Sequence, residues 1–276
     1  MKTTKLLKRA FVAVAALAAT LVLPGCLQNE TVIHLNKDGS GTLVEETTFG
    51  PQVLDMIAQM AALGGGGDPL ADLVSEEKAK ARAATLGDGV TLEKVEAVDA
   101  GGKKGGRVTY RFADINTLKI SPDSAVKNAM PEMPMAPPGG VEKAAPITFS
   151  YADGKLTMKM PEPEKVEVPA GEAPAEGEEE SMGEQEVMIM KQMMGDMKIS
   201  FAIVIEPGIA ETNASHVEGN RITLMEMEMG KLMEDAESLK KLTRLNKQDP
   251  DAALREMKEV KGVKMENQRE VTVVVE

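Results

Sequence analysis

One cysteine, Cys26, and two histidines, His34 and His216, are all that this chain of 276 residues holds of the residues most often used to ligate metals or attack substrates. A single cysteine excludes an intrachain disulfide framework and a CxxC redox or metal motif. Two isolated histidines do not complete a zinc set. GxSxG, HExxH and a glycine-rich loop closed by Lys-Ser or Lys-Thr are missing as well. No familiar nucleophile, metallohydrolase site or phosphate cradle is therefore written in the chain, and no cofactor is called for. Positive charge is scarce too, with 32 Lys and Arg against 44 Asp and Glu, a formal charge of −12. A polyanion is repelled by nucleic acid and by anionic head groups, which excludes nucleic acid as a partner.

What is present begins at the N-terminus. Lys2, Lys5, Lys8 and Arg9 precede an apolar run from Ala10 to Leu23, the layout of a secretory signal and too short for a comfortable membrane span. The run ends in Leu23-Pro24-Gly25-Cys26, which resembles the lipobox of bacterial lipoproteins. That resemblance implies a signal peptide over 1–25, cleavage before Cys26, and palmitate-like acyl chains on Cys26. Acyl chains contribute about 0.8 kcal/mol per buried methylene, so two or three of them hold a chain on the membrane. Leu27 after the cysteine, rather than Asp, favours the outer membrane over the inner. Losing the signal takes the formal charge from −12 to −16. The expected partner is thus the membrane of a bacterial cell envelope, through Cys26, with an envelope lipid or protein as a second partner.

Beyond a short tether over 26–30, residues 31–276 read as one α+β domain, with one or two cores. Two stretches, 129–146 and 161–183, are dense in Pro, Gly, Ala and Glu and carry too few large apolar groups to offset the entropy of ordering them. Period-two patterns predict strands at TVIHLN and TLVEETTF, at 90–98, 107–113, 147–151, 155–160, 198–206 and 221–229, and at the end of the chain. In KISFAIVIE, Ile199, Phe201, Ile203 and Ile205 share one face. Helical spacing is found at 51–63, 75–87, 184–197, 230–242 and 249–262. A curved, mostly antiparallel sheet with several helices and two disordered insertions is the expected architecture.

His34 to Glu46, HLNKDGSGTLVEE, raises two competing readings. A calcium loop needs oxygen ligands at positions 1, 3 and 5, Gly at 6 and Glu at 12. With Gly39 at position 6, position 1 is His34; with Gly41 there, position 12 is Thr47. Neither register supplies the ligands, whereas Asp38-Gly39 between alternating strands is a strong hairpin signal. A turn here, almost at the anchor, is expected at the end of the domain held against the membrane.

Methionine is abundant, with 20 residues. The cluster Met188, Met190, Met193, Met194 and Met197 offers thioethers, soft ligands suited to Cu(I), and copper handling is a second functional reading. The competing one is core packing, because Met fills irregular apolar gaps.

A last pattern runs from Pro207-Gly208 through Asn213 and Gly219-Asn220 to an Ile-Thr strand. Together with an anchor cysteine followed at once by a strand and an Asp38-Gly39-Ser40-Gly41 hairpin, it resembles the LppM-type envelope lipoproteins. The resemblance implies an α+β domain with a curved antiparallel sheet and a non-enzymatic role in binding lipid or glycolipid near the membrane. It assigns Asp38, Gly39, Gly41, Pro207, Gly208, Asn213, Gly219 and Asn220 to structural turns and implies no catalytic residues. Leu224 stands where the pattern leads one to expect Trp.

Overall fold

A computed structural model describes residues 27–62, 69–121, 145–161, 195–234 and 260–276. Cys26, the four methionines from Met188 to Met194, most of the expected helices at 184–197, 230–242 and 249–262, and nearly all of the stretches 129–146 and 161–183 lie outside these residues.

The fold is α+β, built on two sheets that share one hydrophobic core. The larger sheet has at its centre β1 (Leu27–Leu35), flanked by β2 (Gly41–Phe49) and β7 (Lys198–Ile205). Beyond β2 lie β4 (Lys103–Phe112) and the edge strand β3 (Thr91–Ala100). Beyond β7 lie β10 (Arg221–Glu228) and β11 (Val263–Met265), and the short β9 (Val217–Glu218) also pairs with β10. The smaller sheet runs in the order β5 (Thr148–Ala152), β6 (Lys155–Lys159), β12 (Glu270–Val275), β8 (Ile209–Thr212). Pairing is antiparallel except between β1 and β7, which run parallel from Gln28 beside Lys198 to Leu35 beside Ile205. Near-continuous burial of β7 is what a parallel strand at the centre of a covered sheet requires.

Odd-numbered positions of β1, β2 and β7 face the core. Ile33, Leu35, Leu43, Phe201, Ile203 and Ile205 are fully buried there, in one cluster with Phe149, Leu156, Met158 and Val271 from the smaller sheet. The alternation also holds in MEMEM. Met225 is buried opposite Phe201, while Glu226 lies on the outer face between Lys198 and Lys264. Burial alone would raise the Glu226 carboxyl, but the hydrogen bonds and charges of the two lysines hold it below the usual range.

The first strand differs from its expectation. β1 starts at Leu27, directly after Cys26, rather than at Thr31, so no tether separates the expected anchor from the sheet. Gln28, Asn29 and Glu30 disguise this start because they are polar, yet Asn29 and Thr31 are buried on the core face with Leu27 and Ile33. Nine residues at ~3.3 Å each place the following turn ~26 Å from Leu27, at the opposite end of the sheet. The hairpin therefore stands at the far end of β1 from Leu27, rather than close to the first residues of the domain as expected.

The turn itself is as expected. Asp38 Oδ1 accepts hydrogen bonds from Ser40 N at 3.0 Å and Ser40 Oγ at 2.6 Å, which occupies it locally and holds its carboxyl below its ordinary range. Gly41 has a different role from the turn assigned to it. It is the first residue of β2, where a Cβ would lie 1.9 Å from the His34 carbonyl oxygen and 2.6 Å from Phe112 Cζ. The residue is glycine because backbone and ring approach it closely.

Among the described residues four α-helices accompany the sheets: α1 (Pro51–Ala62), α2 (Pro69–Leu73), α3 (Glu76–Thr85) and α4 (Met229–Glu234). Ser75 caps α3 through its Oγ, which accepts from Lys78 N, as its position before two glutamates predicts. No helix among the described residues is long and apolar enough to cross a membrane.

Candidate functional site

The core face of the larger sheet is not apolar throughout. Toward the Leu27 end it carries a polar patch, Asn29 and Thr31 on β1 beside Thr47 and Glu45 on β2. Over the β2 and β4 side of this patch lie α2 and α3, and between helices and sheet is a cleft of about 190 Å³. Glu45, Thr47, Gly106, Val108 and Tyr110 form its floor, and Leu73, Ser75, Ala79 and Arg82 its roof. An ion pair of the exposed Asp72 and Lys78 forms part of its lining.

Local sequence explains why the helices sit there. Ala79 and Ala83 are the buried positions of α3, and such small side chains let a helix lie close to a sheet. Gly106 does the same for α2, since a Cβ on it would be 2.5 Å from the Leu73 carbonyl oxygen. From α3, Arg82 reaches down so that its Nη2 donates to Glu45 Oε1 at 2.8 Å. Only 27% of the Arg82 side chain and 11% of the Glu45 side chain remain exposed. Burial pushes the Tyr110 hydroxyl far above its ordinary range, and the Glu45 carboxylate adds to the effect, so this phenol stays protonated.

Among the described residues three buried polar atoms have no hydrogen-bonding partner: Arg82 Nε in the cleft lining, and Asn29 Oδ1 and Thr31 Oγ1 on β1, beside the floor residues Thr47 and Glu45. Asn29 and Thr31 are each 1% exposed. Asn29 uses its Nδ2 to donate to Thr47 Oγ1 at 2.8 Å, leaving its carbonyl oxygen over. A buried polar group without a partner costs about 1–3 kcal/mol, and such groups are rare enough that each needs a reason.

Those residues singled out in the sequence that are described lie elsewhere, and none of them lines the cleft. Gly208 and Gly219 occupy turns with φ of +115° and +63°. Pro207 adjoins the first of these turns, and Asn220 holds its hairpin by donating from Nδ2 to the Ile205 carbonyl at 3.2 Å. Asn213 is more than a loop residue. Its Oδ1 accepts from Thr272 N at 2.7 Å and its Nδ2 donates to the Glu270 carbonyl at 3.0 Å, clamping the end of β8 to β12. Met197 is 6% exposed and belongs to the hydrophobic core, which removes it from a copper set. His34 Nδ1 meets Glu206 Oε1 at 2.7 Å, and His216 Nε2 meets the Met265 carbonyl at 3.2 Å. Among the described residues no three His, Cys, Asp or Glu side chains are placed to hold a metal ion. The cleft residues had a signal in the sequence. Glu45 and Thr47 share the parity of Leu43 and Phe49, so a strand that buries those two must bury the polar pair as well.

These features define an α+β protein with a partly polar cleft between a sheet and two short helices. No model of a known protein family matches the chain, and neither does any curated protein. Among solved structures it is similar to the folded domain of LppM from Mycobacterium tuberculosis, with a TM-score of 0.34 and 9% identity, covering 76% of this chain and 88% of that one. A likeness that slight transfers no function.

Proposed function

We propose that the protein is a bacterial envelope lipoprotein, anchored by acyl chains on Cys26, which binds a small polar moiety of an envelope lipid or partner in the cleft beneath α2 and α3. The observation that carries this reading is a solvent-open cleft whose lining holds Arg82 Nε without a hydrogen-bonding partner among the described residues, backed on β1 by the likewise unpartnered, buried Asn29 Oδ1 and Thr31 Oγ1 beside Thr47 and Glu45. Arg82 Nε and the hydroxyls of Thr47 and Ser75 in the lining offer donors and acceptors together, a set that suits a neutral ligand rich in hydroxyl or amide groups. The charges already in the cleft are paired, Arg82 with Glu45 and Lys78 with Asp72, which favours a neutral ligand over an ion. Size narrows it further. A volume of about 190 Å³ equals roughly six water molecules, too little for a fatty acyl chain and enough for one ring-sized group.

A binding role fits this chemistry better than catalysis does. Burial and the Glu45 carboxylate hold the Tyr110 hydroxyl protonated, and Glu45 is engaged by Arg82 at 2.8 Å. Copper handling gains no support from Met197, which packs in the core, and the other four methionines of that cluster lie outside the described residues.

The test is mass spectrometry of small molecules and lipids retained by the full chain carrying Cys26→Ser, exposed to a total envelope lipid extract and purified gently. A discrete species bearing a polar head should be retained. Val108→Phe, which places a larger side chain in the floor, should cut the amount retained about tenfold. Equal retention by both proteins, or none by either, would remove the cleft as the site.

A further inference from the structure

The direct continuation of Cys26 into β1 fixes more than the absence of a tether. β1 is an interior strand, paired along nine residues with β2 and along eight with β7. Leu27 is 6% exposed and packed in the core cluster. A chain held this way cannot swing at its first residue, so whatever holds Cys26 also sets the attitude of the sheet.

We infer that the end of the larger sheet bearing Leu27, Phe49 and the β3–β4 turn at Gly101-Gly102 is a membrane-contact face. Its strands stand up from the bilayer, and the Asp38-Gly39 turn is the distal tip. The inference rests on the reading of Cys26 as an acylated residue.

Charge supplies an independent argument for the same attitude. The distal end carries an excess of acid, with Asp38, Asp88, Asp114, Asp153, Glu206 and Glu276 against Lys37, Arg111, Lys119 and Lys155, and Lys37 donates to the backbone carbonyl of Glu276 at 2.7 Å. The Ile115 amide bonds the Gly39 carbonyl, and the Glu206 amide bonds the Leu35 carbonyl, which places these acids around the same tip. The opposite end mixes Lys104, Lys198 and Lys231 with Asp99 and Glu228, in pairs such as Lys104 with Asp99 and Lys198 with Glu228. In a chain this acidic, an anionic bilayer repels the tip and tolerates the mixed end. The acyl anchor and the electrostatics therefore point the same way.

One consequence concerns the cleft. Thr47 lies two residues from Phe49 along β2, about 7 Å from the contact face, and Glu45 about 13 Å. The floor of the cleft thus stands at the height that a head group projecting from the bilayer reaches. A membrane-resident ligand could enter it with its tail still in the lipid.

Because Cys26 is the one native cysteine and is consumed by acylation, an introduced thiol can be labelled uniquely. Ala100→Cys at the contact end and Asp88→Cys at the distal end are both exposed positions. Each variant, as the full acylated chain carrying a fluorophore, is placed in vesicles of phosphatidylethanolamine and phosphatidylglycerol containing a head-group spin-labelled lipid. The probe at 100 should lose most of its emission and the probe at 88 should keep it. Equal quenching at both sites, or stronger quenching at 88, overturns the orientation while leaving the anchor intact. Flotation of the same samples beside Cys26→Ser separates the two failures. If wild-type chain does not float with the vesicles, the anchor falls and the orientation with it.

Discussion

Replacing Glu266 by Gln should lower the stability of the fold by about 3–4 kcal/mol, because four charge-assisted hydrogen bonds converge on one buried carboxylate. Glu266 is 5% exposed. Its Oε2 accepts from Ser215 N at 2.8 Å, and its Oε1 from Ser215 Oγ at 2.7 Å, Asn267 N at 2.8 Å and Gln268 N at 2.9 Å. The carboxylate thereby ties the loop after β8 to the segment that joins β11 to β12, and so links the two sheets. An amide has one acceptor oxygen. Whichever way it turns, its NH2 faces a backbone N–H that then has no partner. Urea unfolding of wild type and E266Q measures the effect as a lower midpoint at unchanged slope. A loss under about 1 kcal/mol would mean that the clasp contributes little.

Arg82→Met should produce the second large loss, about 3 kcal/mol, because it leaves the Glu45 carboxylate enclosed without its cation. Its diagnostic is the double variant. Replacing Glu45 and Arg82 together by Met removes both charges, and stability should return to within about 1 kcal/mol of wild type. Additive losses in the cycle would show that the two side chains act separately, and α3 would then be held to the sheet by Ala79 and Ala83 alone. The pair matters beyond stability because Arg82 is the one strong charge that the roof lowers onto the floor of the cleft.

The α+β fold was legible in the sequence because its strands obey a period of two. KISFAIVIE and REVTVVVE coincide with β7 and β12 to within a residue, and the helix opened by Ser75 starts where its cap predicts. The small strands β8, β9 and β11 were not legible. Two to four residues are too few to show a period, and these strands are defined by their partners rather than by their own pattern. The hidden start of β1 has another cause. Asn29 and Thr31 break the apolar alternation of β1 at two buried positions, so the polar patch beside the candidate site concealed the start of the strand that carries it. The same parity rule that hides Asn29 in β1 would have exposed Glu45 and Thr47 in β2, where apolar residues stand on both sides. The parallel pairing of β1 with β7 was beyond reach, since it joins segments more than 160 residues apart and no local turn specifies it.

Polar atoms that weaken a fold persist where they are needed for something else, and that idea is the centre of this account. Thr31→Val tests it most directly, because valine keeps the shape and removes only the hydroxyl that has no partner. Chemical unfolding of the chain without ligand should show the variant more stable than wild type by about 1 kcal/mol, and retention of the polar-headed ligand should fall. A variant less stable than wild type, with ligand retention unchanged, would contradict the account.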